Sequence, residues 1–124
     1  MRNALLVVAA AVIIAVAAVA PAQAAKAKTD VTISAFNWDN PPFLIGEVKS
    51  KKTSCAKARK VTLFRVRGGS KEKMGSTKTI SGEGTWAWII KAPGAEVGDV
   101  YYAQASATKS CRGDKSGDYE VIPF

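Results

Sequence analysis

The sequence contains no histidine. That excludes every catalytic triad or dyad built on imidazole and every metal site with a histidine ligand. Cysteine is scarce: Cys55 and Cys111 are the only two, and their spacing is not that of a redox C-x-x-C pair. Acid is in short supply, with 10 Asp and Glu against 18 Lys and Arg, a formal net charge of +8. No carboxylate pair suited to glycoside chemistry can be picked out. Serines beside lysines, such as Ser50 between Lys49 and Lys51, are what any lysine-rich loop offers. The chain is therefore read as non-catalytic, and no cofactor is implied. Convincing helical periodicity is also missing throughout.

Charge is absent from one stretch in particular. Arg2 is the only charged residue among the first 25, and an unbroken apolar run follows over residues 4–20. Pro21 and the small-x-small tripeptide Ala22-Gln23-Ala24 come next. A positive start, an apolar middle and a small-residue end are the layout of a secretory signal. Cleavage is expected after Ala24, leaving residues 25–124 as one domain outside the cytoplasm with no membrane-spanning segment. An uncleaved anchor is the alternative, since a 17-residue run is at the short limit for crossing a bilayer. In an exported domain an even cysteine count reads as a disulfide, here Cys55–Cys111.

What is present beyond residue 25 is the pattern of short strands. Residues 31–36 alternate apolar and polar, and the Asn40-Pro41-Pro42 tripeptide ends that run. Residues 43–48 form a second segment, in which Gly46 marks a bulge or a close approach. A polar, lysine-rich loop over 49–59 carries Cys55. Residues 60–67 form a third strand, 73–80 a weak, polar fourth, and 85–91 the most apolar one, with Trp86, Trp88 and Ile90 on one face. Residues 99–108 and 119–122 complete the set, and a second cysteine loop lies between them. Seven short strands with turns every eight to twelve residues predict an all-β, seven-stranded Greek-key sandwich. The expected core is Val48, Val61, Leu63, Trp86, Trp88, Ile90 and one of Tyr101 or Tyr102. The third strand is ambiguous, because Val61 and Leu63 share a parity with Arg65 and Arg67 while Phe64 and Val66 take the other face.

Gly46-x-Val48, Cys55, Arg59-Lys60-Val61-x-Leu63, Gly82-x-Gly84-x-Trp86, Gly98, Tyr101-Tyr102-Ala103 and Cys111 follow one another in an order of interest. The series resembles small secreted bacterial proteins related to the carboxypeptidase regulatory-like, or transthyretin-like, β-sandwich. The resemblance covers about residues 43–122. It implies an Ig-like or transthyretin-like fold and a non-catalytic module that is displayed or acts as an accessory outside the cell. Where that group often carries an Asp before the tryptophan strand, this chain has Ser81-Gly82, so no ion-binding role carries over.

Charge supplies the main functional candidate. Residues 49–73 hold ten basic side chains and one acid, and the rest of residues 25–124 is slightly acidic. Lys49, Lys51, Lys52, Lys57, Arg59 and Lys60 form its leading part, a candidate surface for an anionic envelope polymer, with acidic polysaccharide, nucleic acid or anionic lipid in the same chemical class. The alternative is a solvated loop that keeps the protein soluble. Trp86 and Trp88 are read as core and Trp38 as a cap on one end of it, with a stacking platform as the lesser reading. Arg112-Gly113-Asp114 resembles an integrin-recognition tripeptide, a candidate for surface adhesion, although a polar turn explains it as well. Asp114, Ser116, Asp118 and Glu120 loosely suggest a cation loop but lack the full ligand series. The functional expectation is a secreted or envelope-associated module that binds an anionic extracellular polymer. A small inhibitor of an extracellular enzyme, or another extracellular protein partner, is the alternative.

Overall fold

The computed structural model describes residues 25–82 and 84–123. The expected signal segment, residues 1–24, lies outside the described residues. Among those described the chain is all-β, with nine strands: β1 Asp30–Asn37, β2 Phe43–Lys49, β3 Lys60–Arg67, β4 Ser70–Lys78, β5 Ile80–Gly82, β6 Thr85–Lys91, β7 Val100–Ala105, β8 Asp114–Lys115 and β9 Tyr119–Glu120. One 3-10 turn, Thr53–Cys55, interrupts the loop after β2.

The strands form two antiparallel sheets. The first has the order β1-β2-β6-β5; the second has β4-β3-β7-β8, with β9 also paired to β7. The polar segment expected over 73–80 divides. Ser70–Lys78 pairs with β3 as an edge strand, and Ile80–Gly82 crosses to the other sheet to pair with β6. Polar edge strands carry little periodicity, which is why the sequence places this boundary poorly. Gly82 pairs with Thr85.

Alternation of apolar residues drives the two sheets together. Leu44, Val48, Trp88 and Ile90 from the first sheet meet Val61, Leu63, Tyr101 and Ala103 from the second, all buried. Burying each large apolar side chain contributes on the order of 1.5–3 kcal/mol. Trp86 and Trp38 are partly buried and pack against this core rather than standing out as a platform. Gly46 is a close-approach point: a Cβ there would overlap the Thr32 carbonyl and the Trp88 indole. The ambiguity of β3 resolves in favour of Val61, Leu63 and Arg65 facing inward. Phe64 then lies on the outer face, stacked on Tyr102.

Candidate functional site

Both cysteines and most of the candidate lysines gather at one end of the two sheets. Cys55 and Cys111 are bonded, with Cα atoms 5.6 Å apart. The segment before β1 runs between the loops they staple. The Ala27 N–H donates to the Ser110 carbonyl at 3.0 Å, and the Arg112 N–H donates to the Ala27 carbonyl at 2.8 Å. Ser50 Oγ donates to the Lys28 carbonyl at 2.6 Å, tying the lysine loop to the same segment. That bond also occupies the one serine flanked by lysines that nucleophilic chemistry could have used.

Arg59 corrects the sequence reading. It is only 5% exposed and cannot lay its charge against a polymer. Its Nη1 donates to Thr29 Oγ1 at 3.0 Å and to the Cys55 carbonyl at 2.8 Å. Its Nη2 donates to the Ser106 carbonyl at 2.8 Å and to the Arg112 carbonyl at 2.9 Å. Four neutral oxygens from four separate segments therefore converge on one guanidinium, whose planar fork of five donors suits that task. Burial lowers the Arg59 pKa, yet an arginine stays protonated. The signal was present in the sequence: Arg59 has the same parity as the inward Val61 and Leu63.

The lysines behave as expected of a surface. Lys49, Lys51, Lys52, Lys57 and Lys60 are all exposed. Lys28, Lys49, Lys51 and Lys52 line an open depression of about 860 Å³, together with Asp30. Lys57 and Lys60 line a smaller cleft of about 440 Å³ beside Cys111, with Arg59 in its wall. Among the described residues Lys49 makes one long, exposed ion pair with Glu47 at 3.7 Å. Lys28, Lys51, Lys52, Lys57 and Lys60 make none. A buried cation without a counter-charge and a ring of unpaired lysines give this end a concentrated positive field.

The Arg112-Gly113-Asp114 tripeptide is built into the fold. Asp114 is half-buried, and its Oδ2 accepts the Val31 N–H at 2.7 Å. A Cβ at Gly113 would come within 2.9 Å of the Ala107 nitrogen and 3.0 Å of the Ala105 oxygen, so the glycine is needed for close packing. Arg112 is exposed, but its carbonyl is held by Arg59. Asp114 is thus occupied in joining β8 to β1. Ser116 is buried and also committed: its Oγ accepts the Ala103 N–H at 2.9 Å and donates to the Gly117 carbonyl. Among the described residues no group of three or more acidic or cysteine side chains could hold a metal ion.

The opposite end is electrically different. Asp99, 3% exposed, accepts both Nε and Nη2 of Arg67, at 2.8 and 2.7 Å, and the Glu96 N–H at 2.8 Å. The hydrogen bonds from Arg67 hold the Asp99 carboxyl below the usual carboxylate range, against the opposing effect of burial. Arg65 pairs with Glu72 at 2.7 Å. No protein-family model, curated protein or solved structure matches this chain, so the geometry must carry the functional argument alone.

Proposed function

We propose that the protein is a non-catalytic, exported module that binds an anionic extracellular or cell-envelope polymer through its disulfide-stapled end. One observation carries this reading: five exposed lysines without ion pairs among the described residues line two depressions, the smaller of them walled by the buried, uncompensated charge of Arg59. Burying a cation without an anion is costly, and four hydrogen bonds offset that cost.

The disulfide and the signal-like leader support export. Among the described residues no helix is long and apolar enough to cross a membrane. Chain crossings between the sheets after β2, β4 and β6 support the Greek-key, transthyretin-like reading of the architecture. The short β5 and β8 are additions to the seven strands expected from sequence, and β9 falls within the last of those seven. The commitment of Asp114 to the backbone disfavours adhesion.

The reading is tested by titrating the purified protein with a soluble polyanion across a salt series. Binding that weakens by about tenfold or more between 50 and 200 mM salt is expected for several simultaneous charge contacts. Binding that ignores salt, or the absence of binding at low salt, would overturn it.

A further inference from the structure

The register of the second sheet places a further set of lysines together that the linear sequence scatters. Residues facing each other in antiparallel register point to the same side of a sheet. Lys60 faces Lys78, Phe64 faces Lys73, and Val66 faces Lys71 across β3 and β4. Phe64 faces Tyr102 on β7, and Gln104 faces Lys115 on β8. The outer face therefore carries Lys60, Lys71, Lys73, Lys78 and Lys115, all exposed, against a single acid, Glu120, at its far corner. All three arginines of this region are elsewhere, Arg59 and Arg65 inward and Arg67 on Asp99.

The blandest explanation is that lysines on an edge strand prevent sheet-to-sheet aggregation. It accounts for Lys71, Lys73 and Lys78 on β4. It does not account for Lys60, which sits on the inner strand β3 directly opposite Lys78, a like-charge pairing that costs stability unless an anion joins it. Lys115, on the opposite edge strand β8, extends the charge to the other side of the face. The arrangement is elongated. Lys71 to Lys78 spans roughly 23 Å along the strand. At its end Lys60 and Thr62 also line the 440 Å³ cleft at the stapled end, so the two basic regions are continuous.

We infer that the outer face of the second sheet is the main track for a linear, carboxylate-bearing polysaccharide, running along β4 and over Lys60 into the stapled end. The inference rests on the proposed polyanion function and adds the surface and the ligand class to it. The chemistry between the charges favours a sugar chain. Thr62, Ser76 and Gln104 lie among the lysines and offer hydroxyl and amide groups to sugar hydroxyls. A single-stranded nucleic acid would call for exposed aromatic faces on which bases stack. Here Tyr102 is 7% exposed, covered on one side by Phe64 and on the other by Lys115, whose Nζ lies 4.2 Å from the ring centre. Lys71 sits over Phe64 in the same way at 4.9 Å. Lysines act as point charges that can meet carboxylates spaced along a chain without a fixed bidentate geometry.

The test uses polygalacturonate as probe at physiological salt, with two variants of equal charge change. One carries Lys71, Lys73, Lys78 and Lys115 changed to Gln; the other carries Lys49, Lys51, Lys52 and Lys57 changed to Gln. The face variant is expected to bind about 100-fold more weakly than the native protein, and the end variant to lose distinctly less. Arg at the same four face positions should keep most of the affinity. In the native protein, bound polygalacturonate should shield Lys73 and Lys78 from acetylation, a readout that needs no variant to fold. A face variant that binds like the native protein, or shielding confined to residues 49–57, would overturn the inference and leave the polyanion function standing. Tighter binding to DNA or to phosphatidylglycerol vesicles than to polygalacturonate would overturn the ligand class. Binding to none of these polyanions would overturn both readings together.

Discussion

At one end of the two sheets Arg67 lies against Asp99 and Glu96, and Arg65 against Glu72. At the other, Arg59 is enclosed by four neutral oxygens, and the lysines around it make no ion pairs among the described residues apart from Lys49 with Glu47. The same residue type serves two purposes. Where arginine meets carboxylate, the charges cancel locally and the pair fastens a loop. Where it meets only carbonyl and hydroxyl groups, it fastens loops equally well and leaves its charge uncancelled. The net positive charge of the chain is thus not spread over its surface. It is neutralised at one end and concentrated at the other, extending along one sheet face.

The largest effect is expected at the disulfide. Replacing both Cys55 and Cys111 by Ser should cost about 4 kcal/mol, the chain-entropy estimate for a loop of this length. Urea denaturation measures it, and a loss below about 1 kcal/mol would mean that the end is held without the staple. Arg59→Met comes next. It strands buried acceptors on four segments, and a loss of about 3 kcal/mol is expected. Arg59→Lys should recover little, since one ammonium cannot meet four oxygens across that span. A variant as stable as the native protein would show that the buried guanidinium is not the organiser of this end.

At the paired end Asp99→Asn should cost about 2 kcal/mol, in the range for hydrogen bonds to charged partners. The same pair sets a pH dependence. The folded carboxyl binds its proton less tightly than the unfolded one, so its contribution is fully present above the unfolded pKa of about 4 and is lost as pH falls through the folded value. Acid melts should show the native protein losing stability below about pH 4 more steeply than Asp99→Asn; parallel curves would contradict the assignment. The smallest effect sharpens the contrast. Changing Lys49, Lys51, Lys52 and Lys57 to Gln should leave thermal stability within about 0.5 kcal/mol, because these side chains make few contacts. A large loss would show that they are structural.

How far the sequence could be read follows from where its pattern is strong. Strands β3 and β6 fall on the residues expected, and β2 within one residue of them, since β-branched and aromatic residues alternate there between clear breakers. The two-residue strand β8 is too short for any period to register, β9 is the first half of the strand expected over 119–122, and β4 is too polar for its bounds to show. Tyr101 and Tyr102 are both buried although they point to opposite faces, because Phe64 and Lys115 cover the outward ring. Within the candidate site, the exposed lysines were legible from composition. Arg59 was not, because charge argues for the surface and only its parity with Val61 and Leu63 argues otherwise. The lysines of the outer face were also hidden. Lys60, Lys78 and Lys115 lie far apart in the chain, and it is strand register that unites them.

Polymer binding at the stapled end is tested by retention of the purified protein on isolated cell envelope at physiological salt, beside a variant with Lys49, Lys51, Lys52 and Lys57 changed to Glu. Reversing four charges at the entrance to the basic region should abolish retention if that region meets an envelope polymer. Retention of the native protein that the variant loses is the predicted result. No retention of either protein, or equal retention of both, would contradict the account.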